Sequence, residues 1–223
     1  MEEKGLHPVI VSAPEGYHVR INDGDLTVFS SFKGDAGLLL VQPSGTAAIR
    51  FKGKSKQQGI LTLYGGKSGG LEISETYNYV TPGLIERTVT VKASSDQRYY
   101  LNLGWKSAHP GNFYSFTGEE KSSVRYSPGS SGPEFGTGNS MQTFPFLGVH
   151  CGNRLYGIIG DTPGKWENRS FIGLDIENRC LSIENGDGSA RRTIEIPHSL
   201  DSKSVYRGSF DGWQHIEAGE TQT

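Results

Sequence analysis

Three tryptophans of this chain stand next to polar residues of the types that bind sugars. Trp105 is followed closely by His109, and Trp166 is followed at once by Glu167. A sugar offers C–H faces that stack on aromatic rings, and its hydroxyls hydrogen-bond to charged and amide side chains. The residues nominated for contact with a sugar or with a neighbouring domain are Trp105, His109, Arg125, Trp166, Glu167 and Trp213. For each tryptophan, a place in the hydrophobic core or at a contact with a neighbouring domain is favoured over contact with a sugar.

Two charged residues interrupt an apolar strand face and are placed to pair with each other. Over Leu71–Trp105, apolar and polar residues alternate in three runs, which is the period of strands with one covered face. Glu75 and Arg87 fall on the apolar side. If the chain turns tightly at 81–83, Tyr77 faces Arg87 and Glu75 lies one diagonal step away. We therefore predict a structural polar cluster of Glu75, Tyr77 and Arg87, with catalysis by Glu75 as the alternative.

Other catalytic and metal-binding patterns are missing from the sequence. The six histidines form no HExxH motif, and the glycines at 65–70 lack the spacing of a phosphate loop. Paired carboxylates for glycosidic cleavage can come from any two strands, so the sequence leaves them open. We predict no metal site, no cofactor and no catalytic residue in this chain. Cys151 and Cys180 are expected to be unpaired thiols, with a disulfide as the alternative.

Composition and charge narrow the partners of the chain. Its 223 residues carry a formal net charge of −2, which offers no broad positive surface for nucleic acid or for an acidic membrane. No apolar run is long enough to span a bilayer. The N-terminus lacks the basic and apolar regions of a signal peptide. We expect either a cytoplasmic chain or a piece of a longer secreted or periplasmic protein, and the localisation stays open.

Many short strands joined by tight turns must position the candidate residues. The chain has 31 Gly and 10 Pro and almost no helical periodicity. The clearest element is a three-stranded meander over Leu71–Trp105. We predict one domain over residues 1–223, a large antiparallel all-β sandwich with little helix. Further strands are predicted at 7–11, 17–21, 26–32, 38–41, 47–51, 60–64, 146–150, 155–160, 171–176, 181–184, 192–196 and 204–210.

Three stretches differ from the strands around them. Residues 65–70 are rich in glycine and are predicted to be a flexible hairpin loop. Residues 106–145 are rich in Gly, Ser and Pro and carry several aromatic residues without a strand or helix period. We predict a long irregular loop there that contacts a ligand, a partner or a neighbouring domain, with disorder as the alternative. Residues 211–223 are predicted to be a C-terminal exit segment, since the chain stops abruptly at Thr223.

The meander and the C-terminal segment resemble a known family. The sequence LEISETYNYVTPGLIERTVTVKASSDQRYYLNLGW is similar to a pattern of galactose-mutarotase-like supersandwich domains. That pattern has a tyrosine-rich strand, an I-x-R-x-[VI]-x-[VI] strand and an aliphatic strand. Such domains lie at the N-terminus of many bacterial glycoside hydrolases, melibiase-type α-galactosidases among them. The sequence FDGWQHIEAGETQT resembles the segment of those enzymes that leaves the sandwich and enters the catalytic domain.

The resemblance implies a function as well as a fold. It implies a non-catalytic N-terminal module of a glycoside hydrolase, which packs on the catalytic domain of the same polypeptide and contacts carbohydrate. A free-standing sugar epimerase or hydrolase of the same fold is one alternative, and an unrelated carbohydrate-binding sandwich is another. The epimerase pattern has a histidine before its asparagine-containing strand. Leu101-Asn102-Leu103 lacks that histidine, which argues against epimerase activity.

Overall fold

A computed structural model gives the architecture of the chain. It describes residues 5–31, 37–109, 112–116, 123–126, 146–160, 171–175, 179–186, 188, 192–197, 205–210 and 212–223. Every regular element in these residues is a β-strand, and the sheets are antiparallel. The predicted all-β fold class is therefore confirmed. Within the described part of the chain, no helix is long and apolar enough to cross a membrane.

Twenty strands lie in the described residues. In chain order they are β1 (Leu6–Ala13), β2 (Gly16–Asp23), β3 (Leu26–Ser30), β4 (Leu38–Gln42), β5 (Gly45–Ala48), β6 (Gly53–Gln57), β7 (Ile60–Ser68), β8 (Leu71–Thr81), β9 (Leu84–Ala93), β10 (Gln97–Ser107), β11 (Phe113–Phe116), β12 (Ser123–Tyr126), β13 (Phe146–Cys151), β14 (Arg154–Ile159), β15 (Phe171–Asp175), β16 (Cys180–Glu184), β17 (Arg192–Pro197), β18 (Val205–Phe210), β19 (Gln214–Ile216) and β20 (Thr221–Gln222).

The strands are arranged in four sheets. A nine-stranded sheet contains β1–β5, β10, β15, β16 and β19, and a five-stranded sheet contains β6–β9 and β20. A four-stranded sheet is built from β11–β14, and β17 pairs with β18. Strand β10 is the hub of the largest sheet, because it pairs with β3, β4, β16 and β19 along different parts of its length.

The predicted meander is correct for its first two strands only. Across β8 and β9, Tyr77 faces Arg87 and Tyr79 faces Ile85, which is the predicted register. The third strand, β10, instead crosses to the nine-stranded sheet, and β20 takes the place beside β9. The connection at 94–96 is short enough for either arrangement. The sequence therefore could not distinguish a hairpin turn from a corner between two sheets.

The nine-stranded and five-stranded sheets face each other across one hydrophobic core. Leu40 and Leu101 contribute from the larger sheet, and Leu63 and Ile73 from the smaller one, all at most 4% exposed. Burying each such side chain stabilises the fold by about 1.5–3 kcal/mol. The chain is thus a β-sandwich. That residues 1–223 form a single domain stays a prediction.

The four-stranded sheet is fastened to the edge of the sandwich. Its buried Phe113 and Leu147 belong to the same hydrophobic core. Asp23, at the end of β2, accepts hydrogen bonds from Tyr156 Oη at 2.7 Å and from the Arg154 guanidinium. The hydrogen bond from Tyr156, aided by Arg154, lowers the pKa of the Asp23 carboxyl. The carboxylate thus holds two residues of β14 against β2.

The predicted hairpin at residues 65–70 is present, but its turn is confined to Gly69 and Gly70, and residues 65–68 are strand rather than flexible loop. Strand β7 continues through Ser68, and an irregularity between Leu63 and Gly66 shifts its register with β8. Gly65 has a φ of +77°, and a Cβ on Gly66 would lie 2.6 Å from Ile49 Cγ2. These glycines therefore serve a bulge and a close packing contact rather than flexibility.

Residues 106–145 are partly strand, so the prediction of an irregular loop needs correction. Strand β10 runs on to Ser107, and β11 and β12 form a hairpin that pairs with β13. Four-residue strands are too short to show a period in the sequence, and the pairing with β13 stabilises them. Residues 110–111, 117–122 and 127–145 lie outside the described residues.

The predicted exit segment is part of the sandwich as far as Gln222. Strand β19 pairs with β10 in the larger sheet and β20 pairs with β9 in the smaller one, so residues 212–222 bridge the two sheets. We call residues 212–222 the C-terminal strap. Tyr99 Oη donates to Gln222 Oε1 at 2.8 Å, and Gln222 Nε2 donates to the His215 carbonyl at 2.6 Å.

Candidate functional site

The predicted polar cluster forms between the two main sheets. Tyr77 donates from Oη to Glu75 Oε2 at 2.8 Å, and Arg87 donates to Glu75 Oε1 from Nε at 3.1 Å and also from Nη2. Glu75 is 1% exposed. The guanidinium lies over the ring of Trp105, with Cζ 4.9 Å from the ring centroid. The four side chains form one buried unit.

Charges within this unit are balanced. Burial alone would lower the pKa of Arg87, but the Glu75 carboxylate and the Tyr77 side chain together outweigh burial and raise that pKa. Burial raises the pKa of Tyr77 well above its usual range, so the hydroxyl stays protonated and donates a hydrogen bond to Glu75. The adjoining cavity of about 30 Å³ has room for water but not for a sugar ring. The geometry therefore favours the structural interpretation of the cluster over catalysis by Glu75.

Trp105 and His109 serve the sandwich itself. Trp105 is 7% exposed and packs edge-on against Tyr77, with ring centroids 6.1 Å apart. Its ring therefore lies in the core, which is the place that the sequence favoured for it over contact with a sugar. His109 is half-buried and donates from Nε2 to the Thr27 carbonyl at 3.0 Å, which ties the end of β10 to β3.

Three nominated residues stay predictions. The side chain of Arg125, on β12, lies outside the described residues, and so do Trp166 and Glu167. Nothing in the described structure therefore bears on their contact with a sugar or a domain.

Of the two nominated tryptophans that the structure describes, Trp213 is the more exposed. It is partly exposed, and its ring centroid lies 5.7 Å from that of Tyr100 with an interplanar angle of 52°. The Cζ atom of Arg98 lies 5.6 Å from the Trp213 centroid. Arg98 and Tyr100 share the outer face of β10, because Tyr99 and Leu101 point into the core. We call Arg98, Tyr100 and Trp213 the aromatic face.

The loop after β16 holds the aromatic face in position. Asn185 accepts a hydrogen bond from Leu101 N at its Oδ1, at 2.6 Å, and from Gln214 Nε2 at its carbonyl, also at 2.6 Å. Gly188 packs so closely that an added Cβ would lie 3.1 Å from the Trp213 ring. Side chains held by such neighbours bind a ligand at a lower entropic cost.

An open groove of about 710 Å³ lies beside the aromatic face, at the start of β10. Its walls are the β4–β5 turn, the β9–β10 connection and the C-terminal strap, and Arg98 belongs to both the groove and the aromatic face. The volume falls in the range of about 300–1,000 Å³ typical of ligand sites. The groove is lined by Gln42, Pro43, Ser44, Asp96, Gln97, Arg98, His215, Ile216, Glu217 and Glu220.

Sequence reasoning identified Trp213 but missed its neighbours. The alternation in Arg98-Tyr99-Tyr100-Leu101 is a signal that places Arg98 and Tyr100 on one face. The pairing of Arg98 with His215, which creates the groove, joins positions far apart in the chain and leaves no mark in the sequence.

The described residues form neither a cluster of metal ligands nor a disulfide. In the part of the chain that the structure describes, no group of three or more His, Cys, Asp or Glu residues is placed to hold a metal ion. Cys151 and Cys180, both among the described residues, are not joined by a disulfide, as predicted.

Comparisons with known proteins add no identification, since no family, no curated protein and no solved structure matches the chain.

Proposed function

We propose that this chain is a non-catalytic β-sandwich module of a carbohydrate-active enzyme, and that its aromatic face contacts sugar. One observation carries the proposal: Trp213 and Tyr100 lie with Arg98 at the surface, next to an open polar groove. Aromatic rings stack on the C–H faces of a sugar, and the groove supplies donors and acceptors for its hydroxyls. The resemblance of the β8–β10 sequence to supersandwich domains of glycoside hydrolases agrees with this assignment.

The non-catalytic part of the proposal is supported by the state of two polar residues. The Glu75 carboxylate is buried and engaged by Arg87 and Tyr77, with no adjoining space for a substrate. Asn102, the asparagine of the strand that resembles the epimerase pattern, donates from Nδ2 to Glu184 at 2.5 Å. Neither residue is arranged for proton transfer to a sugar.

Packing on a catalytic domain is supported by an apolar hairpin tip. Tyr79, Val80 and Leu84 flank the β8–β9 turn and are 44%, 47% and 46% exposed. Grouped exposed apolar side chains are common where a protein meets a partner. We propose that this tip contacts the catalytic domain of the same polypeptide.

A glycan-array screen tests the sugar contact. We expect the protein to bind a subset of the arrayed saccharides and Trp213→Ala to bind them about tenfold more weakly, since it removes the central stacking ring. Tyr64→Ala is the matched control, because Tyr64 is an exposed aromatic residue on the other sheet. Equal binding by the protein and Trp213→Ala contradicts the proposed site.

A polarimetric assay separates the module from the epimerase alternative. Freshly dissolved α-galactose and α-glucose should interconvert with their β anomers no faster with the protein than in buffer. Catalysed mutarotation would overturn the non-catalytic assignment, while the array result would still judge the binding face.

A further inference from the structure

The groove carries more negative than positive charge. Asp96, Glu217 and Glu220 line it with carboxylates, whereas Arg98 is its one guanidinium. Carboxylates accept hydrogen bonds and attract cations, and like charges placed opposite them are disfavoured. The chemistry of the groove therefore selects a ligand by its charge as well as by its hydroxyls.

Two of these carboxylates are held in place before any ligand binds. Ala218 N donates to Asp96 Oδ1 at 2.9 Å, and Glu217 N donates to Glu220 Oε2 at 2.9 Å. The bond from the Glu217 amide lowers the pKa of Glu220, which keeps this side chain charged. Acceptors fixed by backbone amides lose little freedom when a ligand binds.

The groove and the aromatic face form one continuous surface through Arg98. A ligand that stacks on Trp213 can extend past Arg98 toward the C-terminal strap. The groove alone has about 710 Å³, a volume that suits a ligand longer than a single sugar ring.

We infer that the aromatic face and the groove together bind an oligosaccharide that is neutral or carries amino groups, and that they exclude oligosaccharides bearing carboxylates. This inference rests on the proposed sugar contact and adds the length and the charge of the ligand. One end of the saccharide stacks on Trp213, and the hydroxyl or ammonium groups of the next units meet Asp96 and Glu217.

Two pairs of probes that differ mainly in charge test the inference by calorimetric titration at low salt. The first pair is tetragalacturonate and its methyl ester, and the second is the tetramer of glucosamine and its N-acetylated form. We expect the ester to bind about tenfold more tightly than the acid, and the amine more tightly than the acetylated form. Both differences should shrink as salt is added.

Glu217→Gln is the decisive variant. It should reduce the ratio of affinities within each pair of probes by about threefold. Glu72→Gln, on the outer face of β8, should leave both ratios unchanged. Equal affinities within each pair, or a preference for tetragalacturonate, would overturn the inference, and so would binding of none of the four probes. If saccharides bind on the array without any dependence on charge or length, the inference fails and the proposed function stands. A blank array removes both.

Discussion

Glu75 and Arg87 depend on each other because both lie inside the sandwich. A buried ion pair that loses one member leaves a charge without compensation, which costs about 3–5 kcal/mol. Arg87 also fills space over Trp105, so its side chain contributes packing as well as charge. The two contributions can be separated by substitution.

Arg87→Met should destabilise the protein less than Arg87→Ala. Both changes leave Glu75 without its cation, but methionine keeps an apolar side chain against Trp105, which should preserve about 1–2 kcal/mol of packing. Urea unfolding monitored by circular dichroism measures the difference. Equal losses of unfolding free energy would show that the charge alone matters there.

His18 should make the stability of the sandwich depend on pH. It is 8% exposed, and burial, together with Arg20, lowers its pKa below 6.5, with Glu15 opposing this weakly. The unfolded chain therefore takes up a proton before the folded chain does, so stability present above about pH 6.5 is lost as the pH falls below it. The unfolding free energies of the protein and of His18→Gln, measured at pH 7 and at lower pH, test this dependence.

The comparison of these two proteins isolates His18 from other titrating groups. We expect acidification below about pH 6.5 to cost the protein more unfolding free energy than it costs His18→Gln. A difference between the two that stays constant with pH would show that His18 is not the titrating group.

At the scale of elements, the C-terminal strap links the two main sheets through few bonds. Burial raises the pKa of Tyr99 to about 12, so its hydroxyl is protonated at neutral pH and donates to Gln222. The backbone adds bonds between Ala93 and the strap, at Gly219 and Glu220. The strap also forms one wall of the groove, so its attachment shapes the proposed ligand site.

Tyr99→Phe should loosen the strap while the sheets stay intact. The loss of one hydrogen bond costs about 1 kcal/mol, so amide hydrogen exchange should rise about fivefold in residues 217–222 and stay unchanged in β8. Equal exchange rates of residues 217–222 in the protein and in Tyr99→Phe would show that the Tyr99 hydroxyl does not hold the strap.

The sequence predicted the positions of strands better than it predicted which strands pair with each other. Alternation located β8 and β9 and placed Glu75, Tyr77 and Arg87 together, because a hairpin brings residues close in the chain into register. It misassigned the partner of β10, and it missed β11 and β12, since a sheet corner and a four-residue strand have no local signature. Trp213 could be nominated by type, but its contact with Arg98 and Tyr100 depends on the fold.

At the scale of the whole molecule, the charged pair in the core and the residues proposed to contact sugar lie in different parts of the sandwich. The charged pair of Glu75 and Arg87 lies between the sheets, where a cavity of about 30 Å³ admits no sugar. Arg98, Tyr100 and Trp213 lie on the outside of the larger sheet, beside a groove with more than twentyfold that volume. We therefore propose the outer face of the larger sheet as the binding face.

Native affinity electrophoresis tests that assignment most directly. Gels containing galactomannan or xyloglucan, two neutral polysaccharides, are compared with gels containing neither. We predict that at least one of them retards the protein and Tyr64→Ala, and that Trp213→Ala runs as in the plain gel. Migration unaffected by both polysaccharides, or equal retardation of the protein and Trp213→Ala, would contradict a sugar-binding aromatic face.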